Sequence, residues 1–381
     1  MKEIAKKKKI IFIANSSWYI FNFRLSLLFE INKLYEIIII APKDKYTKIL
    51  KSHGFIFYEW DLNRKSINIF SELKSVLSLS SIIKKLKPDL IHNYNIKPII
   101  YGTLAARINK TEHIINSITG LGNLFLDNKL ITKLLRFILK PIIINLLNTK
   151  KVHLIFQNKD DKLFFEKSGF RYIKNSEIIP GSGVDMSFFK SKKIHKFSFP
   201  IQILFPSRII KEKGITELIK AHKQLIKKGF SIELLIAGKI DYGNRSHIEN
   251  NLRDYMLSNK KIYLLGHVED MKDLYEKVDI VVLPSWREGL SKSLIEAGSM
   301  SKAIITTNVP GCKEIIDHGV NGILVPPRNP KALENAIENL VIDLDYAEIL
   351  SKEIRKKIET NFEVSLINKL TLSKYKKIFI H

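Results

Sequence analysis

The chain has 381 residues, 45% hydrophobic and 27% charged, with a formal net charge of +25. That length suits two domains that each bury a core, and the composition is globular, which excludes a disordered chain. The single cysteine, Cys312, excludes an internal disulfide and fits a reducing cytosol, whereas the basic excess fits lysine-rich coding, a polyanionic surface or phosphate-bearing ligands and does not choose among them.

The opening MKEIAKKKKIIFIAN has the charge of a signal peptide, but its apolar run, Ile10–Ala14, is too short for one and stops at Asn15, Ser16 and Ser17. It reads as a basic lead into a first buried strand. Further strands are expected at Glu36–Ala41, Asp89–Asn93, Val152–Gln157, Ile201–Pro206, Ile232–Ala237, Lys261–Leu265, Val278–Pro284, Ala303–Thr307 and Gly322–Val325. They are continuous Ile/Leu/Val blocks, the pattern of strands buried on both faces of a parallel sheet. Helical patterns alternate with them, so the fold class is α/β and doubly wound. The pattern restarts at Ile201, after the turn residues Pro180–Asp185 and the basic stretch Lys190–Lys196. This divides the chain into domains at 1–180 and 181–360, with 361–381 forming a basic helix that crosses back to the first domain. No stretch of about 18 uncharged apolar residues is present, so no spanning helix is expected.

Three segments of the second half can carry chemistry. In Val278–Met300, VDIVVLPSWREGLSKSLIEAGSM, a buried strand leads through Ser285–Gly289 into a helix starting near Ser291. Backbone amides at a helix start suit an anion, and Gly289 permits close approach. Glu288 lies at the helix mouth and Glu296 deeper, where a carboxylate accepts hydrogen bonds from sugar hydroxyls; two solvated glutamates would show the same spacing. In ILFPSRIIKEKGITEL, Arg208 and Lys213 share a loop with Gly214 before a helix. Two cations there would neutralise a departing diphosphate, although a surface loop of a basic protein would look alike. Gly266-His267-Val268 ends a strand and could present backbone groups to a flat base; His267 alone reads as a surface or structural histidine.

In combination these segments resemble the donor half of the family-4 retaining glycosyltransferases, which have the GT-B fold: two Rossmann-like parallel-sheet domains facing a cleft. The family pattern is Arg-x4-Lys-Gly, Gly-x-Val and Glu-x7-Glu, met here by Arg208, Lys213 and Gly214, by Gly266, His267 and Val268, and by Glu288 and Glu296. Pro310-Gly311 with Glu314, Asn321-Gly322 with Pro326, and Gly183-Val184-Asp185 with Phe188 match as well. The resemblance implies that Arg208 and Lys213 hold the diphosphate and that Glu296 binds the ribose. It places Glu288, with the backbone of Gly289, Leu290 and Ser291, against the donor sugar and phosphate. It also implies a UDP-sugar co-substrate, no metal, and retention of configuration with the leaving phosphate taking the acceptor's proton.

The first half resembles a bacterial subgroup that builds capsule, O-antigen or lipid-linked oligosaccharides. The similarity rests on Asn22-Phe23-Arg24-Leu25, on His92-Asn93-Tyr94-Asn95 with Lys97-Pro98, and on Thr119-Gly120-Leu121-Gly122. Where many relatives carry a glycine pair after the first strand, this chain has Asn15-Ser16-Ser17. The resemblance implies an acceptor side at Asn22, Arg24, Thr119 and Gly120. His92, at a strand end, either stabilises the donor sugar or acceptor phosphate or is a structural histidine. Lys129, Lys133, Arg136 and Lys140 share one helical face opposite leucines and isoleucines, and no acidic residue lies between Asp127 and Asp160. Such a helix can lie on an anionic leaflet or pack on its own domain.

The expected function is transfer of a hexose or N-acetylhexosamine to a lipid-linked saccharide, by a cytoplasmic enzyme held peripherally at the inner membrane face. A soluble transferase acting on a small acceptor is the alternative. A nucleic-acid-binding role is disfavoured, because the chain has neither zinc-ligand spacing nor an RNA-binding aromatic motif.

Overall fold

The isoleucine block at the start of the chain forms β1 (Lys9–Ile13), buried from Ile10 onward. Its residues alternate between two cores. Ile11 and Ile13 belong to one, and Ile10 and Phe12 to the other, as a strand covered on both faces requires. The computed structural model describes residues 7–64, 68–120, 140–191, 197–242 and 246–380. They fall into two units, Met1–Ser182 with Ile367–His381, and Gly183–Leu366.

In the first unit β1 is joined by β2 (Glu36–Ala41), β3 (Ile56–Glu59), β4 (Leu90–Tyr94), β5 (His113–Ile118), β6 (Val152–Phe156) and β7 (Glu177–Ile178), in the order β3-β2-β1-β4-β5-β6-β7. Every pairing is parallel, with Ile11 opposite both Ile38 and Ile91. The helices are α1 (Ser17–Asn32), α2 (Lys45–Ser52), α3 (Ile69–Leu86), α4 (Ile96–Ile108) and α5 (Lys159–Lys167), and residues 140–147 are also helical. Leu79 and Ile83 of α3, Ala105 and Ala106 of α4, and Ile143 and Leu147 share the core of Ile11 and Ile13. Tyr19, Leu27 and Leu28 of α1 cover the other face.

The second unit has β8 (Ile201–Phe205), β9 (Ile232–Ala237), β10 (Ile262–Gly266), β11 (Ile280–Leu283), β12 (Ala303–Thr307) and β13 (Ile323–Val325), all parallel, in the order β10-β9-β8-β11-β12-β13. Its helices are α6 (Ile215–Lys227), α7 (Asn250–Ser258), α8 (Met271–Lys277), α9 (Lys292–Ser299), α10 (Pro330–Ile342) and α11 (Leu344–Asn361). The last helix, α12 (Val364–Ile380), begins in this unit, and from Ile367 onward it belongs to the first, where Ile367, Tyr375 and Ile378 are buried. No described helix is long and apolar enough to cross a membrane.

The ten expected strands are all present within a residue or two, and the described residues form three more. β3 is an edge strand with exposed ends, and β7 has only two residues, so neither forms an apolar block. β5 reads HIINSI, and its polar pair hides it. Asn116 and Ser117 are nonetheless buried. Asn116 accepts from Asn93 Nδ2 at 2.8 Å and donates to Thr103 Oγ1 at 3.0 Å, which offsets the loss of water. Gly102 makes room for this network, since a Cβ there would fall 2.0 Å from Asn93 Oδ1. Of the basic face expected at 129–140, Lys129, Lys133 and Arg136 lie outside the described residues.

Candidate active site

In each sheet the strand order reverses once, between β1 and β4 and between β8 and β11. The loops that leave the carboxyl ends of such a pair part to opposite faces and leave a crevice suited to ligands. In the second unit these loops are Pro206–Gly214, after β8, and Pro284–Ser291, after β11. Lys213 and Glu288 therefore meet at the switch point although they are 75 residues apart in sequence.

Lys213 and Glu288 form an ion pair at the centre of the site. Lys213 Nζ stands 2.5 Å from Glu288 Oε1, both side chains are mostly buried, and Ser285 Oγ donates to the same oxygen at 2.7 Å. Two glycines allow this packing. Gly214 is left-handed (φ 76°), and a Cβ on it would lie 2.0 Å from the Pro284 carbonyl oxygen. A Cβ on Gly311 (φ 80°) would lie 2.6 Å from Gly289 O and 2.8 Å from Glu288 O. Only glycine brings three backbone segments this close. The carboxylate of Glu314 accepts from Gly311 N at 2.9 Å and holds the third segment. Cys312 is buried behind Glu288, and burial, reinforced by that carboxylate, pushes its thiol up to about 12; such a thiol is inert.

Glu296 is the fifth residue of α9 and has a separate set of partners. Tyr275 OH lies 3.5 Å from its Oε2, and Lys292 Nζ lies 3.6 Å from its Oε1. Burial raises its pKa above the usual carboxylate range against the opposing pull of Lys292 and Tyr275. Ser291 is the N-cap of α9, but its side chain makes no capping hydrogen bond and instead meets Ser293 Oγ at 3.2 Å. Leu290 is half-buried against the core. The helix start thus offers backbone amides beside Glu288, and Glu296 sits one turn further in.

Arg208 is exposed and pairs with Asp241 at 2.9 Å, not with Glu288. The loop Gly266-His267-Val268 leaves the outermost strand, β10, with His267 exposed and Val268 half-buried. Two strand spacings, roughly 10 Å, separate β10 from β8, so this loop leaves the sheet to one side of the β8–β11 switch point. Among the described residues no three His, Cys, Asp or Glu side chains converge as a metal site.

A second clamp was not legible in the sequence. Trp286 N donates to Glu212 O at 2.9 Å, and its indole Nε1 donates to Glu217 Oε1 at 3.1 Å. The Arg328 guanidinium stacks 4.2 Å from the indole centroid. Glu217 is 7% exposed in the first turn of α6, and its second oxygen has no partner among the described residues. Trp286 lies just beyond a strand, and its partners Glu212, Glu217 and Arg328 come from segments distant in the chain.

In the first unit Ser16 caps α1, accepting from Tyr19 N at 3.2 Å, and Asn15 N reaches Asn95 Oδ1 at 3.5 Å across the switch point. Asn22 is half-buried and donates to Trp18 O. Thr119 and Gly120 are half-buried beyond β5, while Leu121 and Gly122 lie outside the described residues. Two expectations are corrected here. Arg24, expected on the acceptor side, is a core residue. It is 6% exposed, donates to Gly181 O and Tyr19 OH, and stacks 4.5 Å from the Tyr94 ring. His92 is not at a strand end but in the middle of β4, 1% exposed, with Nδ1 2.5 Å from Tyr375 OH and Nε2 2.7 Å from Ser117 Oγ. Burial and the nearby Arg24 charge hold the His92 imidazole well below the ordinary histidine range, hence neutral. Both ring nitrogens are occupied in tying β5 and α12 to β4.

Comparison with known proteins matches both halves of the chain. Residues 9–159 match the family described as glycosyl transferase 4-like, and residues 200–343 match glycosyl transferases group 1. The chain is 27% identical over 348 residues to the N,N'-diacetylbacillosaminyl-diphospho-undecaprenol alpha-1,3-N-acetylgalactosaminyltransferase of Campylobacter jejuni, covering 88% of this chain and 90% of that one. It is 24% identical to the UDP-Gal:alpha-D-GlcNAc-diphosphoundecaprenol alpha-1,3-galactosyltransferase of Escherichia coli, covering 79% and 78%. Among solved structures, Anabaena HepE in complex with UDP and glucose superposes with a TM-score of 0.78 at 19% identity, over 97% of this chain and 99% of that one. Two parallel α/β units and a family match on each half make this chain a glycosyltransferase of the family-4, GT-B class.

Proposed function

We propose that the enzyme transfers a hexose or N-acetylhexosamine from a UDP-sugar to a polyprenyl-diphosphate-linked saccharide at the inner face of the cytoplasmic membrane, with retention of configuration. The observation that carries this reading is the mostly buried Lys213–Glu288 pair beside the start of α9. A diphosphate arriving there draws Lys213 and Arg208 from their carboxylates and takes the amides of Gly289 to Ser291 as further donors. Glu296 holds the ribose hydroxyls, His267 and Val268 flank the base, and Glu288 turns to the sugar. The bond between the anomeric carbon and the diphosphate oxygen breaks as the acceptor oxygen bonds to that carbon from the same face. The acceptor's proton passes to the departing phosphate oxygen. Asn22, Thr119 and Gly120 are assigned to the acceptor, while Arg24 and His92 support them from within the core. The names of the Campylobacter and Escherichia relatives support the lipid-linked acceptor, and the latter supports UDP.

The test is isothermal titration with UDP and GDP, without added metal, on wild type and Glu296→Ala. UDP binding that the variant weakens by about a hundredfold is the expected result, followed by transfer from UDP-sugars to a polyprenyl-diphosphate sugar. Failure of wild type to bind either nucleotide would overturn the reading.

A further inference from the structure

The outer faces of α3 and α4 present an apolar surface that none of the described residues covers. Phe70, Leu73 and Leu77 recur at helical spacing on one side of α3, with Ile69 beside them; Phe70 is 83% exposed and Ile69 79%. The opposite side of α3, with Val76, Leu79 and Ile83, is buried. Propensity and packing therefore need only the inner face, and the outer row is surplus to folding. α4 lies against α3 and repeats the arrangement, burying Ala105 and Ala106 while exposing Leu104 and Ile108. The helical residues 140–147 lie beside α4, where Arg107 donates to Leu146 O at 3.1 Å, and they add exposed Ile142.

Charge distinguishes this face from an ordinary protein contact. Lys74, Lys84, Lys85 and Arg107 are exposed on the two helices, and Lys110 follows them. The one acidic residue in either helix is Glu72, and it is already engaged, accepting from Lys97 Nζ at 2.7 Å and from Tyr101 OH. A face of one exposed ring and several aliphatic chains bordered by cations, with its single carboxylate neutralised, complements acyl chains beneath anionic headgroups.

We infer that this face of α3 and α4 is where the protein lies on an anionic lipid leaflet. Phe70, Leu73 and Leu77 enter the acyl boundary, and Lys74, Lys84 and Lys85 meet the headgroups. The inference rests on the lipid-linked acceptor proposed above and gives it a docking surface. The experiment is sedimentation of the full chain with vesicles of phosphatidylcholine alone and of phosphatidylcholine mixed with phosphatidylglycerol. Wild type should sediment with the mixed vesicles only. The triple change Phe70→Ser, Leu73→Ser, Leu77→Ser should abolish this, and Lys74→Gln, Lys84→Gln, Lys85→Gln should lower the partition coefficient by about fivefold per charge. All six side chains are exposed, so UDP affinity and transfer to a detergent-dispersed acceptor should persist in both variants. Variants that sediment like wild type would overturn the inference. So would a triple serine variant that turns a dimer into a monomer while vesicle binding is unchanged, since the face would then join two copies. Loss of UDP binding in wild type would sink the enzymatic reading and leave the vesicle result readable.

Discussion

Replacing Gly214 by alanine probes the centre of the site with one added carbon. The residue is left-handed, a conformation that costs a non-glycine residue about 1–2 kcal/mol. The new Cβ would also fall 2.0 Å from the Pro284 carbonyl oxygen, where ordinary contact begins at 3.4 Å. The carbonyl end of β11 cannot yield easily, because Thr306 Oγ1 donates to Leu283 O at 2.7 Å and Thr307 Oγ1 donates to Ser285 O. The start of α6 must therefore retreat by about 1 Å, and Lys213, one residue away, must leave Glu288. With the overpacking added, the expected loss of stability is on the order of 3 kcal/mol, and UDP affinity should fall about a hundredfold. Gly229, just beyond the other end of α6, is the control. It is also left-handed (φ 86°), but nothing lies within 4 Å of its Cβ position. Gly229→Ala should cost only about 1 kcal/mol and bind UDP as wild type does. Urea unfolding and isothermal titration on both variants measure the difference. Equal behaviour of the two, or full UDP affinity in Gly214→Ala, would refute the argument from close approach.

Two further changes test the surroundings. His222 is 1% exposed in α6, neither ring nitrogen has a partner among the described residues, and burial lowers its pKa to about 4 from 6.5. A depressed folded pKa means that its neutral form is the one the fold tolerates. Its contribution is complete above pH 6.5 and is lost as pH falls toward 4. Between pH 7 and pH 5 wild type should lose about 2 kcal/mol that His222→Leu retains, as urea unfolding at the two pH values will show. Trp286→Phe removes the donor to buried Glu217 and should cost about 1–3 kcal/mol, with weaker UDP binding. Adding Glu217→Leu should restore stability by removing the orphaned carboxylate, and a double variant no more stable than the single one would show that the clamp carries no such weight.

What the amino-acid sequence determined by itself is the layer architecture. Blocks such as Glu36–Ala41, Ile232–Ala237 and Ala303–Thr307 form strands over the same residues, because continuous branched apolar runs have no stable place except a sheet covered on both faces. The strand, short loop and helix start that hold Glu288 and Glu296 were legible for a similar reason, because all three are local in the chain. What only the tertiary structure decided depends on partners distant in the chain. Lys213 finds Glu288 across 75 residues because the sheet reverses between β8 and β11. His92 finds Tyr375 across 283 residues because the last helix returns to the first unit. Arg24 and His92 have the residue types of an exposed binding site, yet both are buried, because tyrosine rings and hydroxyls, together with the Ser117 hydroxyl and the Gly181 carbonyl, supply the hydrogen bonds and π faces that water would otherwise provide. Whether a polar side chain faces a ligand or replaces water in a core is set by those neighbours, and chain-local patterns of polarity carry no record of them.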